Sequence, residues 1–357
     1  MTAQTQSHTP IADLSWMDNT RQALEHWGLE DSSLKLLSLS ENAVYRVDAP
    51  DGTPWVLRMH RPGYRSAEQV ASELTWLDVI REDGRIQTPR FLPTKEGDQI
   101  CRFSVDGAPE QVADLMEFLP GRQPFVESSV ESYHSIGCVA AVLHEVAHDW
   151  EAPADFTRPV WDETRMLGAD SDYGDWRDTV GLTSEMRFIF AAAENKVLNI
   201  LEQYGKTPDN FGIVHTDLRA SNLLVDDSGV MKVLDFDDCG PGWYLFDVAD
   251  SFTFEEMLPS CQEMVQAYIA GYRSVGGVIP DEDFALLPTM LIARRLNMVA
   301  WMEKRRETPF CQQVHEKFIK ETLPMARLYL NDAYLPSLQM HAKDGTLGGW
   351  AANRMAA

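Results

Sequence analysis

The chain has 357 residues, 31 lysines and arginines against 55 aspartates and glutamates, and a formal net charge of −24. That length accommodates two domains of about 150 residues, and a hydrophobic share of 44% is enough to build packed cores. The acidity argues against nucleic acid, which needs a basic face, and against docking on anionic membranes, while tolerating a cationic small substrate. Cys101, Cys138, Cys239, Cys261 and Cys311 are scattered with no CxxC pair. This excludes a disulfide framework and a zinc ribbon, and fits the reduced thiols of a cytoplasmic protein. The opening MTAQTQSHTPIADLSW has neither a basic nor an apolar region, so no signal peptide is expected. The longest mostly apolar stretches, near 136–143 and 188–193, fall well short of the roughly 20 residues a membrane span needs.

Residues 1–15 read as a frayed polar end, followed by a helix over 18–27 that stops at Gly28. Short β-rich runs come next, LKLLSLS, NAVYRVDA and PWVLRMH, the last two joined through Asp51-Gly52, a hairpin signal. A helix is predicted from Arg65 to Glu82 by the spacing of Val70, Leu74, Leu77 and Ile80. Further strands are predicted at 89–93, 99–105 and 112–118. After Pro120-Gly121 helical periodicity dominates to about residue 330, interrupted at 213–237 by a loop, a short strand, a turn at Asp227-Ser228-Gly229 and a second strand. The expected organisation is a nucleotide-binding lobe over 1–117, a hinge near 116–122, a catalytic and acceptor-binding lobe over 118–335, and a tail over 336–357.

The irregular segment carries the chemistry. His215-Thr216-Asp217-Leu218-Arg219-Ala220-Ser221-Asn222 sets an Asp and an Asn five residues apart, and Asp235-Phe236-Asp237 follows. Phosphoryl transfer requires a carboxylate to orient or deprotonate the attacking hydroxyl and hard oxygen ligands for Mg²⁺ on the phosphates. Asp217 suits the first task; Asn222 and Asp235 suit the second. The HxDxxxxN spacing is that of a kinase catalytic loop, with Asp-Phe-Asp where Asp-Phe-Gly would stand.

These segments resemble the aminoglycoside phosphotransferase family, whose kinase-like members include choline kinases and type II homoserine kinases. Glu41-Asn42-Ala43-Val44-Tyr45-Arg46 is similar to that family's nucleotide-loop strand, and WVLRMHRPGY at 55–64 to the strand bearing its phosphate-binding cation. Ser72-Glu73-Leu74 is similar to the helix that supplies the cation's carboxylate partner, and GPGWYLFDVAD at 240–250 continues the pattern after the metal Asp. The resemblance implies an α+β, protein-kinase-like two-lobed fold with a β-rich N-lobe and a mainly helical C-lobe. It implies an ATP-dependent kinase that moves the γ-phosphate to a hydroxyl of a small molecule, with ATP between the lobes. Asn42, Arg58 and Glu73 would then bind nucleotide, Asn222 and Asp235 would hold Mg²⁺, and Asp217 would act as base. Arg219 would neutralise transition-state charge. His215 and Asp247 would support the loop. Two positions depart from the pattern: Arg58 stands where most relatives carry Lys, and Thr216 where small-molecule kinases commonly carry Gly. Amines are among the acceptors that the acidity suits; the acceptor itself and the oligomeric state are not specified by these motifs.

Other readings differ in class. A protein Ser/Thr kinase of the bacterial stress-response type is the first alternative, and a nucleotide-binding but non-catalytic module the second. A zinc hydrolase is the third, from His144-Glu145-Val146-Ala147-His148, an HExxH match lying along a core-facing helical stripe. The acidic and aromatic cluster Asp170, Asp172, Tyr173, Asp175, Trp176 and Asp178 reads as a solvated loop, with an ammonium site as the functional alternative. Arg294, Arg295, Trp301, Lys304, Arg305 and Arg306 read as a charged helix surface, with Arg294 and Trp301, seven apart on one helix, facing the cleft as the functional alternative.

Overall fold

The Asp51-Gly52 hairpin forms as the sequence predicts. Gly52 takes φ +87°, its N–H reaches the Ala49 carbonyl at 2.8 Å, and strands β2 (Asn42–Asp48) and β3 (Pro54–His60) pair antiparallel on either side. The protein is described by a computed structural model over residues 15–104, 110–123, 129–168 and 171–338. The frayed end expected at 1–15 and the tail expected at 336–357 lie almost wholly outside the described residues.

The chain divides into two compact units. The first takes the described residues up to Arg122 together with Glu151–Arg158 and Leu224–Asp237. Its centre is a five-stranded antiparallel sheet in the order β1-β2-β3-β5-β4, with β1 spanning Ser33–Leu39, β4 Cys101–Phe103 and β5 Gln111–Glu117. Alternation along β2, β3 and β5 sends Ala43, Tyr45, Val47, Leu57, Met59, Ala113 and Leu115 into one apolar cluster with Trp16, Ala23 and Leu24. The helix expected over 18–27 is shorter: a 3₁₀ turn at Ser15–Asn19 leads into α1 (Thr20–Glu25). Bonds from Trp27 and Gly28 to carbonyls three residues back then tighten the chain out of helix. Helix α2 (Ala67–Asp83) begins two residues later than predicted, because Ser66 and Gln69 form a reciprocal capping box. No strand forms at 89–93, where Pro89 and Pro93 remove ladder donors; only Phe91 bridges to Met116.

The second unit is mainly helical. It contains α3 (Val130–Asp149), α4 (Glu163–Leu167), α5 (Ser184–Tyr204), α6 (Tyr244–Asp250), α7 (Cys261–Ser274), α8 (Leu287–Lys304) and α9 (Pro309–Leu330). Strands β6 (Phe211–Val214) and β9 (Gly240–Trp243) form its short ladder, and the intervening β7 (Leu223–Val225) and β8 (Met231–Val233) make a hairpin that belongs, save for Leu223, to the first unit. Helices α3 and α7 approach closely at two glycines. A Cβ on Gly137 would stand 2.1 Å from the Tyr268 carbonyl oxygen, and one on Gly271 1.9 Å from that of His134. Helix α8 is buried on nearly every face, as expected for a central helix. Among the described residues no helix is long and apolar enough to cross a membrane.

Candidate active site

In the second unit, β6 delivers the chain to His215 and Thr216, where the backbone turns through φ +65°. A β-branched residue rarely adopts that conformation, and here it is held by one side chain. Asp247, fully buried in the first turn of α6, accepts the N–H of Thr216 on Oδ1 at 2.7 Å and that of His215 on Oδ2 at 3.1 Å. His144 Nε2 lies 3.0 Å from the same Oδ2. Burial opposes ionisation of Asp247, but the hydrogen bond to His144, the nearby His215 ring and the Thr216 N–H outweigh it and hold its pKa below the usual carboxylate range. The Thr216 hydroxyl donates to the Asp238 carbonyl at 3.0 Å. His144 is also bonded through Nδ1 to the Tyr272 hydroxyl at 2.9 Å. Both of its ring nitrogens are therefore engaged, which removes the first ligand from the HExxH reading.

Beyond that turn Asp217 is 23% exposed, and its two oxygens face different partners. Oδ2 accepts from Asn222 Nδ2 at 2.6 Å; the same amide reaches the Asp217 backbone carbonyl at 3.0 Å, across a 3₁₀ turn at Ala220–Asn222. Oδ1 has Arg219 Nε at 2.9 Å and Arg294 Nη2 at 3.6 Å. Asp217, Arg219 and Asn222 are thus brought together, with Arg294 as a fourth, a residue for which the sequence favours a surface reading over a cleft-facing one. Arg294 is not on a charged helix surface: it is 2% exposed, as Arg295 is fully buried beside it. Arg294 Nε lies 2.6 Å from Asp250 Oδ1 and donates to Thr253 Oγ1 at 3.1 Å. Asp250 is fully buried, and burial together with Asp247, Asp217 and Asp238 pushes its pKa well above the usual range despite Arg294.

The acidic and aromatic cluster is also less solvated than its composition suggests. Tyr173 and Trp176 are buried, Asp172 and Asp175 half-buried and Asp178 exposed, while Asp170 lies outside the described residues. The Tyr173 hydroxyl donates to Asp238 Oδ2 at 3.1 Å, and its ring meets that of Trp301 edge-on at 6.5 Å. Burial and the carboxylates of Asp238, Asp217 and Asp250 raise the Tyr173 phenol well above its ordinary pKa, so the surroundings are electronegative even with Arg294 present.

In the first unit Arg58, on β3, is enclosed by two carboxylates. Nη1 lies 2.7 Å from Glu73 Oε1, as the resemblance implies, and Nη2 and Nε donate to Asp114 Oδ2 at 2.8 and 3.1 Å. His60 Nε2 shares that oxygen at 2.8 Å. Burial opposes both charges, yet the Arg58–Asp114 pairing lowers the pKa of Asp114 and, with Glu73, raises that of Arg58. Asp114 escapes the sequence reading, although a lone acid inside the apolar run QVADLM signals a partner across the sheet. Asn42 Nδ2 donates to Asp237 Oδ2 at 2.9 Å, two residues past Asp235, which is exposed and takes φ +65°.

A model of the phosphotransferase enzyme family matches residues 34–285. The solved structure of a microcompartment-associated aminopropanol kinase is 32% identical, covering 89% of this chain and 99% of that one with a TM-score of 0.82. At 19% identity the amicoumacin kinase hAmiN, solved with AMP-PNP, Ca²⁺ and Ami, covers 87% and 93% with a TM-score of 0.70. A choline/ethanolamine kinase family protein from Mesorhizobium loti, 15% identical, covers 91% and 99% with a TM-score of 0.61. These likenesses show the α+β two-lobed kinase fold. No curated protein sequence matches the chain.

Proposed function

Since the chain belongs to the phosphotransferase enzyme family and is a small-molecule kinase, we propose that it transfers the γ-phosphate of ATP to the hydroxyl of an amino alcohol. The observation that carries this reading is the loop at 215–222, where Asp247 fixes the backbone and leaves the Asp217 carboxylate partly exposed with both oxygens oriented. In the proposal Asp217 accepts or orients the acceptor hydroxyl proton, and Arg219 offsets charge developing on the transferred group.

The donor set suits Mg²⁺. Asn222 spends its amide nitrogen on Asp217, which leaves the oxygen end for a hard cation, and Asp235 presents an exposed carboxylate. When bound, Mg²⁺ neutralises phosphate charge. Arg58 commits three of its five N–H groups to Asp114 and Glu73 and retains two for phosphate oxygens. Asn42, anchored on Asp237, serves the nucleotide side of the same reading.

An ammonium on the acceptor is supported by the aminopropanol kinase likeness and by the electronegative ground around Tyr173, Asp238 and Asp217. The test is ATP-dependent phosphorylation across 1-amino-2-propanol, ethanolamine, choline, homoserine and matched neutral alcohols, with Asp217→Ala as control. Preference for the amines, abolished in Asp217→Ala with nucleotide affinity retained, is expected. Preference for neutral alcohols, or normal turnover in that variant, would overturn it.

A further inference from the structure

Two neighbouring arginines of α8 are both buried, and their surroundings differ in one respect. Arg295 has its charge matched by Glu256 at 2.8 Å and donates to Thr322 Oγ1 and the Phe318 carbonyl, each at 2.9 Å. It is satisfied inside the helical core. Arg294 is not satisfied in this way. Its Nη1 is buried without a hydrogen-bond partner, and although Nε stands 2.6 Å from Asp250, neither oxygen of Asp250 receives an aligned hydrogen bond. A buried pair with such poor satisfaction contributes little stability, and apolar side chains of similar volume often serve as well. Leu291, Leu296 and Met298 already fill neighbouring positions of the helix. What distinguishes Arg294 is its far edge, where Nη2 faces Asp217 Oδ1 at 3.6 Å.

We propose that Arg294 is a positioning residue for Asp217, with Asp250 and Thr253 as its fixed mount. The inference rests on the reading of Asp217 as the base. Asn222 holds Oδ2 of that carboxylate by a single hydrogen bond, and cations facing Oδ1 restrain the plane of the group further. Arg219 faces Oδ1 from a side chain one-third exposed, whereas Arg294 faces it from a buried one. Asp250 and Thr253 hold the guanidinium on one side, so that its other side can orient Asp217. The placement matters because reacting groups displaced by about 1 Å lose roughly a hundredfold in rate.

The experiment compares Arg294→Lys, the double variant Arg294→Met/Asp250→Asn and, as a control on the same helix, Arg295→Met/Glu256→Gln. Folding is followed by thermal melting and turnover with ATP and 1-amino-2-propanol, or the panel member with the highest turnover. The Arg294 double variant removes the buried guanidinium together with the carboxyl that faces it, so no buried charge is stranded and it is expected to fold, with kcat reduced about 10- to 100-fold and KM for ATP within about twofold of the parent. Arg294→Lys keeps a charge opposite Asp250 but lacks the fork, and is expected to fold with an intermediate kcat. The control pair is expected to change melting and leave kcat within about twofold. Parental kcat in the Arg294 double variant would sink the proposal, and if that variant does not fold, parental kcat in Arg294→Lys does so alone. Asp217→Asn in the same series separates the two claims: if it turns over normally, the reading of Asp217 falls, and if it is inactive while the Arg294 variants are normal, only the positioning role falls.

Discussion

The Asp247 carboxylate receives the Thr216 N–H at 2.7 Å, and through this bond a buried helix terminus dictates a left-handed turn in the loop that carries Asp217. Replacing Asp247 by Asn puts an amide N–H₂ among groups that are themselves donors. A loss of about 3 kcal/mol is expected, together with lower turnover; urea denaturation and steady-state kinetics on the same preparation check both. The acid dependence follows in sign. Because Asp247 titrates lower in the fold than in the unfolded chain, its contribution is present above about pH 4 and is lost as pH falls through the folded value. The variant should therefore lose less stability than the parent between pH 5 and pH 3.

Thr216 tests how the left-handed turn is tolerated. Glycine would relieve backbone strain of about 1–3 kcal/mol, but gives up the hydroxyl bond to Asp238, worth about 1 kcal/mol, and enlarges the unfolded ensemble. Thr216→Gly should consequently change stability by no more than about 1 kcal/mol and leave turnover near that of the parent. Thr216→Val keeps the strained branch and loses the hydroxyl, so it should be the less stable of the two in urea.

Arg58 is bounded by Asp114 and Glu73, both buried. Arg58→Met strands two acids and should cost about 3–5 kcal/mol. Arg58→Lys retains a charge but not the fork that spans both carboxylates, and should fold at a cost of about 2 kcal/mol. Equal stability for the two variants would show that charge at this position is dispensable to the sheet.

The crossing of α3 and α7 gives a prediction with no catalytic content. Gly271→Ala forces a methyl against the His134 carbonyl, so the helices must separate; a loss of about 1–3 kcal/mol is expected, with kcat per folded molecule unchanged. Melting curves and active-fraction titration distinguish this from a damaged site.

What could be read from the sequence is what local spacing fixes. Asp217 and Asn222 sit on one loop, so their five-residue interval already specifies that the amide can reach the carboxylate. The β2–β3 hairpin is similarly local, set by Asp51-Gly52. The burial of Asp114 and Arg294 is not legible in the sequence, for a common reason: the burial of a charge is decided by a partner far along the chain. Asp114 needs Arg58 across the sheet, and Arg294 needs Asp250 from another helix; viewed alone, the first is an oddity in a strand and the second part of a basic run. The absence of a strand at 89–93 has the opposite, local cause, since Pro89 and Pro93 at the two ends of the segment supply no ladder N–H.

The first unit draws on residues 151–158 and 224–237 as well as on the chain up to Arg122, and Arg158 from one of those late segments donates to the Gln69 carbonyl at 2.9 Å. During synthesis, therefore, the N-terminal sheet emerges from the ribosome well before the segments that complete its unit. The last of those segments, 224–237, follows it by about a hundred residues. The order of synthesis and the order of the units therefore do not coincide: the first unit is completed only after much of the second has been made.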